Sequence, residues 1–152
     1  MSRFWFWLIS SLVLSTALHG ASPGVQAEVV GGTVAALTKS STHVDLTGSD
    51  ALIFHTGKTH LRISYARINT IEYGQNVSRH YAAAILVSPI LLLSKSRKHF
   101  VTLGYTDEDG AQQALVFRVG KGDIRAFLAS LEARTGRRVE YQDNEARKAG
   151  KG

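Results

Sequence analysis

A mainly β domain of the α+β type is what this sequence predicts: an antiparallel β-sandwich or barrel of six to seven short strands with one C-terminal amphipathic helix. Three observations predict it. Short apolar runs alternate with polar residues between positions 33 and 119. Turn residues separate them, notably Gly57-Lys58 and Asp107-Glu108-Asp109-Gly110. Near residue 123 the apolar period changes once, from two to about 3.6 residues.

The elements follow in order. Thr33–Leu37 is expected to be a first strand, bounded by Gly31-Gly32 and by the polar Lys39–Thr42. In His43–Thr47, Val44 and Leu46 share one face. Gly48-Ser49-Asp50 turns into a strand at Ala51–His55. Gly57-Lys58 reads as a two-residue hairpin loop with Gly first, after which Leu61, Ile63 and Tyr65 alternate inward. Ile68, Ile71 and Tyr73 mark the next strand, and Val101/Leu103/Tyr105 and Leu115/Phe117/Val119 mark the two arms of a hairpin. Asp123 is placed as a helix N-cap, with Ile124, Phe127, Leu128 and Leu131 on one stripe, Arg134 in the last turn and Gly136 as the C-terminal cap. The tail, 142–152, is polar and rich in Lys and Gly and is expected to be disordered.

The N-terminus reads as an address. A basic n-region (Ser2-Arg3), an apolar stretch from Phe4 to Leu18 and small residues ending in Val25-Gln26-Ala27 make a secretory signal peptide of 1–27, with the domain spanning 28–141. The apolar stretch is shorter than the ~20 residues a bilayer crossing needs. The expected location is therefore outside the cytoplasm, periplasmic or extracellular. The chain has no cysteine, which excludes disulfides and any Cys-ligated zinc or iron–sulfur site. With 44% hydrophobic residues, wholesale disorder is excluded as well. Net charge is +6, and loss of 1–27 removes only Arg3 from that balance.

The stretch Leu61-Arg62-Ile63-Ser64-Tyr65-Ala66-Arg67-Ile68-Asn69-Thr70-Ile71-Glu72-Tyr73 resembles the I-P-Y-x-x-I-x-x-I-E signature of small bacterial pleckstrin-homology-like (PH-like) domains. Leu115–Val119 followed by Asp123 and the Phe127/Leu128/Leu131 stripe is similar to their last strand and helix. The resemblance covers about residues 33–135. It departs from the pattern at Ser64, where Pro is common, and at an apolar insertion in mid-chain. It implies a PH-like fold, which hosts lipid, peptide and protein binding alike.

That insertion, Tyr81–Leu93, is apolar at 11 of 13 positions and is bracketed by Arg79-His80 and Lys95-Ser96-Arg97-Lys98-His99. As a helix it would rise only ~20 Å, too little to span a membrane, and Pro89 interrupts it. Two readings stay open. In one, the run is buried and covers an open end of the sheet. In the other, Ile85, Leu86, Ile90, Leu91 and Leu92 meet a bilayer or a protein partner while Arg79, Lys95, Arg97 and Lys98 pair with anionic headgroups. The same surface would equally serve a homo-oligomer.

His55 and His60 are equidistant from the Gly57-Lys58 loop, so they fall opposite each other across a hairpin. They are weak candidates for a metal, needing His43 or Asp45 as a third ligand. The sequence holds no nucleophile elbow, phosphate-cradling loop or H-E-x-x-H run, so a non-enzymatic binding module without a cofactor is expected. Nucleic acid is not an expected partner, because export removes the chain from it and the basic cluster lacks interleaved aromatic residues.

Overall fold

The computed structural model describes residues 24–37, 39–75, 86–87 and 98–151. Residues 1–23 of the expected signal peptide 1–27 lie outside them, as do Arg79, Ile85, Ile90, Leu91, Leu92, Lys95 and Arg97; of Leu86 only the backbone is described.

Nine strands occur among these residues: β1 (Gly24–Gly32), β2 (Ser40–Asp45), β3 (Ala51–Thr56), β4 (Thr59–Ser64), β5 (Ile68–Gly74), β6 (Leu86–Val87), β7 (Phe100–Thr106), β8 (Gln112–Val119) and β9 (Glu140–Tyr141). Two helices follow β8: α1 (Ile124–Thr135) and α2 (Asn144–Lys151). The strands run β4-β3-β2-β1-β8-β7-β5-β9, with β6 beside β1 off that path. Two antiparallel meanders therefore meet where the first strand pairs with the last long one. β9 alone is parallel to its neighbour, β5.

Both turns form where their residues allow. The β3–β4 loop closes between Thr56 and Thr59, with Gly57 at φ 57° supplying the conformation that a Gly-first hairpin needs. In the β7–β8 turn the Asp107 carboxylate accepts the backbone N–H groups of Asp109 and Ala111.

β1 changes partners along its length. Residues 24–29 pair with β2, Gly31 and Gly32 pair with β6, and the opposite edge pairs with β8 across a bulge between Val29 and Gly31. Gly31-Gly32, expected to bound a strand at Thr33–Leu37, instead lies inside β1, and Ala35–Leu37 is a 3-10 turn. The reason is crowding rather than chain breaking: a Cβ on Gly32 would meet Ala114 O at 2.7 Å and Leu115 Cδ2 at 2.9 Å. A run of small residues here marks close backbone approach.

The core sits between the sheet and α1. Phe117 of β8 meets Phe54 edge-on at 5.3 Å and Phe127 of α1 at 5.7 Å, so one ring links the first meander to the helix. Ile124, Phe127, Leu128 and Leu131 are all buried, as their spacing predicts. Full burial of each such side chain contributes about 1.5–3 kcal/mol. Gly136 caps the helix in the left-handed region at φ 67°. Asp123 holds the N-cap position but makes no side-chain capping bond. Arg134 serves tertiary structure, donating to Gly48 O at 2.6 Å and lying 5.6 Å from the Tyr65 ring centre.

Strand and helix are also described on either side of 28–141. The described part of β1 starts at Gly24, and Ala27 is 5% exposed in the core. At the other end, the expected disordered tail is helix α2. Asp143 caps it by accepting the Ala146 N–H at 2.7 Å, and the Arg125 guanidinium donates to the carbonyls of Lys148 and Ala149 near its end. Ala146 and Gly150, one turn apart, lie against the domain, so small side chains let a polar helix dock closely. No described helix is long and apolar enough to cross a membrane.

Candidate functional site

Where the apolar insertion rejoins the sheet, a groove of about 480 Å³ opens between the start of β7, the start of β1 and the end of β8. Its lining includes Glu28, Tyr73, Lys98, His99, Arg118 and Lys121. Each comes from local structure already described. Glu28 and Arg118 are register partners across β1 and β8 and form an ion pair. Lys121 follows Gly120 in the turn into α1. Lys98 and His99 immediately precede β7, whose Phe100 pairs with Gly74 of β5.

His99 is held by Tyr73, on whose ring it stacks. Burial, and then the neighbouring Tyr141, hold the Tyr73 hydroxyl above the usual tyrosine range, so the platform stays neutral. Of the lining residues, His99 Nε2 and Arg118 Nε are buried inside the protein without a hydrogen-bond partner. Three cations and one carboxylate leave the lining net positive.

A second cavity, of about 520 Å³, lies between β4 and the β7–β8 turn. Three of its charged residues, Arg62, Arg67 and Asp107, are already engaged. Arg67 donates to the Asp107 carbonyl, and Arg62 pairs with Asp50. The Asp107 carboxyl is held below its ordinary range by the Gln113 amide and by the backbone N–H groups of Ala111 and Asp109. Burial, followed by the Asp107 charge, pushes Tyr105 up to about 12.

The expected histidine pair forms: His55 faces His60 across the hairpin, and His43 on β2 extends the row, with ring centres 6.4 Å and 6.5 Å apart. His43 Nδ1 is hydrogen-bonded to the Gln26 amide at 3.2 Å. Asp45 turns instead to Thr47, whose hydroxyl and N–H lower its pKa. Among the described residues, no three His, Asp or Glu side chains are placed to hold one metal ion.

Of the expected partner-binding residues, Lys98 is exposed and lines the basic groove. The backbone of Leu86 is paired with Gly32 in β6. Sequence reasoning missed Arg118 and Lys121. The available signal was Arg118 standing between Phe117 and Val119, an outward position of an alternating strand that the sheet brings beside Lys98.

No protein-family model matches the chain, and no characterised protein matches its sequence.

Proposed function

We propose that the chain is an exported, non-enzymatic PH-like binding module that docks on an anionic membrane surface through residues 79–99 and the basic groove at the foot of that segment. The observation that carries this reading is the position of Lys98. It is the last cation of the apolar and basic segment, and it lines the groove that Arg118 and Lys121 also line. Cations drawn from two separate parts of the chain thus gather near the point where the chain leaves its most apolar stretch after residue 27. A basic rim beside an apolar run is the arrangement that attracts an anionic leaflet, at about 1 kcal/mol per cation near the surface. Two antiparallel meanders followed by a helix support the PH-like part of the reading.

Co-sedimentation with vesicles tests it. Binding to phosphatidylglycerol vesicles is expected, with none to phosphatidylcholine alone. Lys98→Glu with Lys121→Glu should weaken it at least tenfold, since two reversed charges act on the same term. Absence of binding to the anionic vesicles, or binding indifferent to the double reversal, rejects membrane docking. Concentration-dependent dimers in ultracentrifugation without vesicle binding would replace it with self-association.

A further inference from the structure

We propose that the open edge of β4 docks an extended, uncharged segment of a partner protein, whose backbone continues the sheet past β4 and one of whose side chains enters the cavity beside Tyr105. The site lies at the other end of β7 from the basic groove and does not rest on the membrane reading.

β4 is one end of the strand path and pairs only with β3 among the described residues. Successive residues of an antiparallel strand turn their N–H and C=O groups to opposite sides. Counted from the two-residue loop, Thr56 with Thr59, Phe54 with Leu61 and Leu52 with Ile63 are the mutually bonded pairs. In agreement, the His55 carbonyl faces β2, where it accepts the Thr42 hydroxyl at 3.0 Å. His60 and Arg62 therefore turn their backbone groups away from β3, and among the described residues no other strand meets them. Such edges are usually blunted by a proline, a bulge or a covering element. β4 has no proline and pairs without a register shift.

The cavity of about 520 Å³ runs along this edge. Four consecutive residues, Leu61 to Ser64, line it although their side chains alternate between faces, so its border is the edge itself. Tyr105, only 4% exposed, lines it from β7. Its hydroxyl has no hydrogen-bond partner among the described residues, yet it is not one of the unpartnered atoms sealed inside the protein. Buried polar groups ordinarily have a partner, so this one takes its partner from the cavity.

Charge selects the occupant. Arg62 and Arg67 in the lining balance Asp107 and Glu108, so neither sign is favoured. Lys58, His60 and Arg62 stand on β4 and its loop without an acidic residue between them, so pairing two copies edge to edge would set like charges together. An uncharged strand avoids both costs. The side chain that enters meets the apolar Val34, Leu61 and Ile63 as well as the Tyr105 hydroxyl. Glutamine or tyrosine, with an apolar stem and a neutral polar tip, suits that lining.

Nine-residue peptides displayed on phage are selected against the full chain, and the enriched ones are synthesised and titrated into ¹⁵N-labelled protein. They should be uncharged, carry glutamine or tyrosine at one position, and shift the backbone amides of His60 and Arg62 saturably. Arg62→Pro removes an outward N–H and is compared with Arg62→Ala, which lacks the same side chain but keeps that N–H. The proline variant should bind at least tenfold more weakly than the alanine variant. Tyr105→Phe should weaken binding at least threefold, with folding of every variant verified by circular dichroism. No enriched peptide, unmoved His60 and Arg62 amides, or equal binding by the proline and alanine variants overturns the site. Enrichment of charged peptides overturns the neutral occupant, and affinity unchanged in Tyr105→Phe overturns the role of the hydroxyl. Dimers of the chain that Arg62→Pro dissociates overturn the partner in favour of a second copy.

Discussion

The imidazole of His99 lies nearly parallel to the ring of Tyr73, with centroids 5.3 Å apart and planes inclined by 27°. Tyr73 meets Tyr141 edge-on at 6.3 Å on β9, and its backbone carbonyl accepts the Gln142 N–H at 3.1 Å. One tyrosine thus supports both the groove and the docking of the C-terminal segment. Tyr73→Leu should cost about 1–3 kcal/mol by urea denaturation, through lost aromatic contact and imperfect filling. A change under about 0.5 kcal/mol, within the range of an ordinary surface substitution, would remove Tyr73 from that role.

Four of the six β1–β2 register pairs involve residues before Glu28. A chain starting at Glu28 would lose those pairs and the buried Ala27. Compared with a chain starting at Ser22, it should be less stable by roughly 2–4 kcal/mol, given about 1 kcal/mol per net hydrogen bond and the apolar burial lost. Thermal denaturation of the two chains measures this. Equal melting temperatures would mean that the start of β1 adds nothing.

Gly150 packs where a Cβ would approach Tyr141 Cε1 to 2.7 Å and both Leu128 Cδ1 and Tyr73 Cδ1 to 3.0 Å. Glycine is a poor helix residue, so a substitution in a free helix would stabilise it. Here Gly150→Val should instead lift α2 off the sheet. Trypsin should then cut rapidly after Arg147 and Lys148, sites that the docked helix protects. Cleavage at the same rate in both proteins would show that α2 is not held.

Tyr105 keeps its proton to about pH 12 in the folded state because of burial and the Asp107 charge, whereas an unfolded tyrosine loses it near 10. Above pH 10 the unfolded chain therefore binds fewer protons than the folded one, and stability falls as pH rises. It is fully present below pH 10 and is lost through the interval up to 12. Tyr65, Tyr73 and Tyr141 are raised in the same direction, chiefly by burial, and add to the slope. Urea midpoints between pH 8 and 12 should decline, less steeply in Tyr105→Phe. An identical slope in that variant would contradict the assignment.

Much of the architecture was legible because it rests on local chemistry. Gly57 reports its turn, and the Ile124/Phe127/Leu128/Leu131 stripe reports its helix. What escaped depends on distant parts of the chain. Gly32 looks like a breaker until Leu115 and Ala114 are brought against it. Asn144–Lys151 looks unstructured because its docking uses Ala146 and Gly150 rather than an apolar stripe, although Asp143, Glu145 and the terminal lysines already carry helix-end signals. The groove was half visible. Lys98 and His99 stand in a conspicuous basic cluster, but only sheet order places Arg118 beside them.

The strand that joins the meanders is also the first described strand in the chain, and Ala27 pairs with Val119, about 90 residues later. Closing so long a loop costs entropy before any contact offsets it, and topologies dominated by distant pairing fold slowly, in milliseconds to seconds. Until β8 has been synthesised, β1 lacks one of its two main neighbours and its outer row of amides and carbonyls stays available. The sheet therefore closes late, by a single event between its two ends, and a nascent chain halted before residue 112 would carry an open strand edge, the feature that templates pairing with other chains.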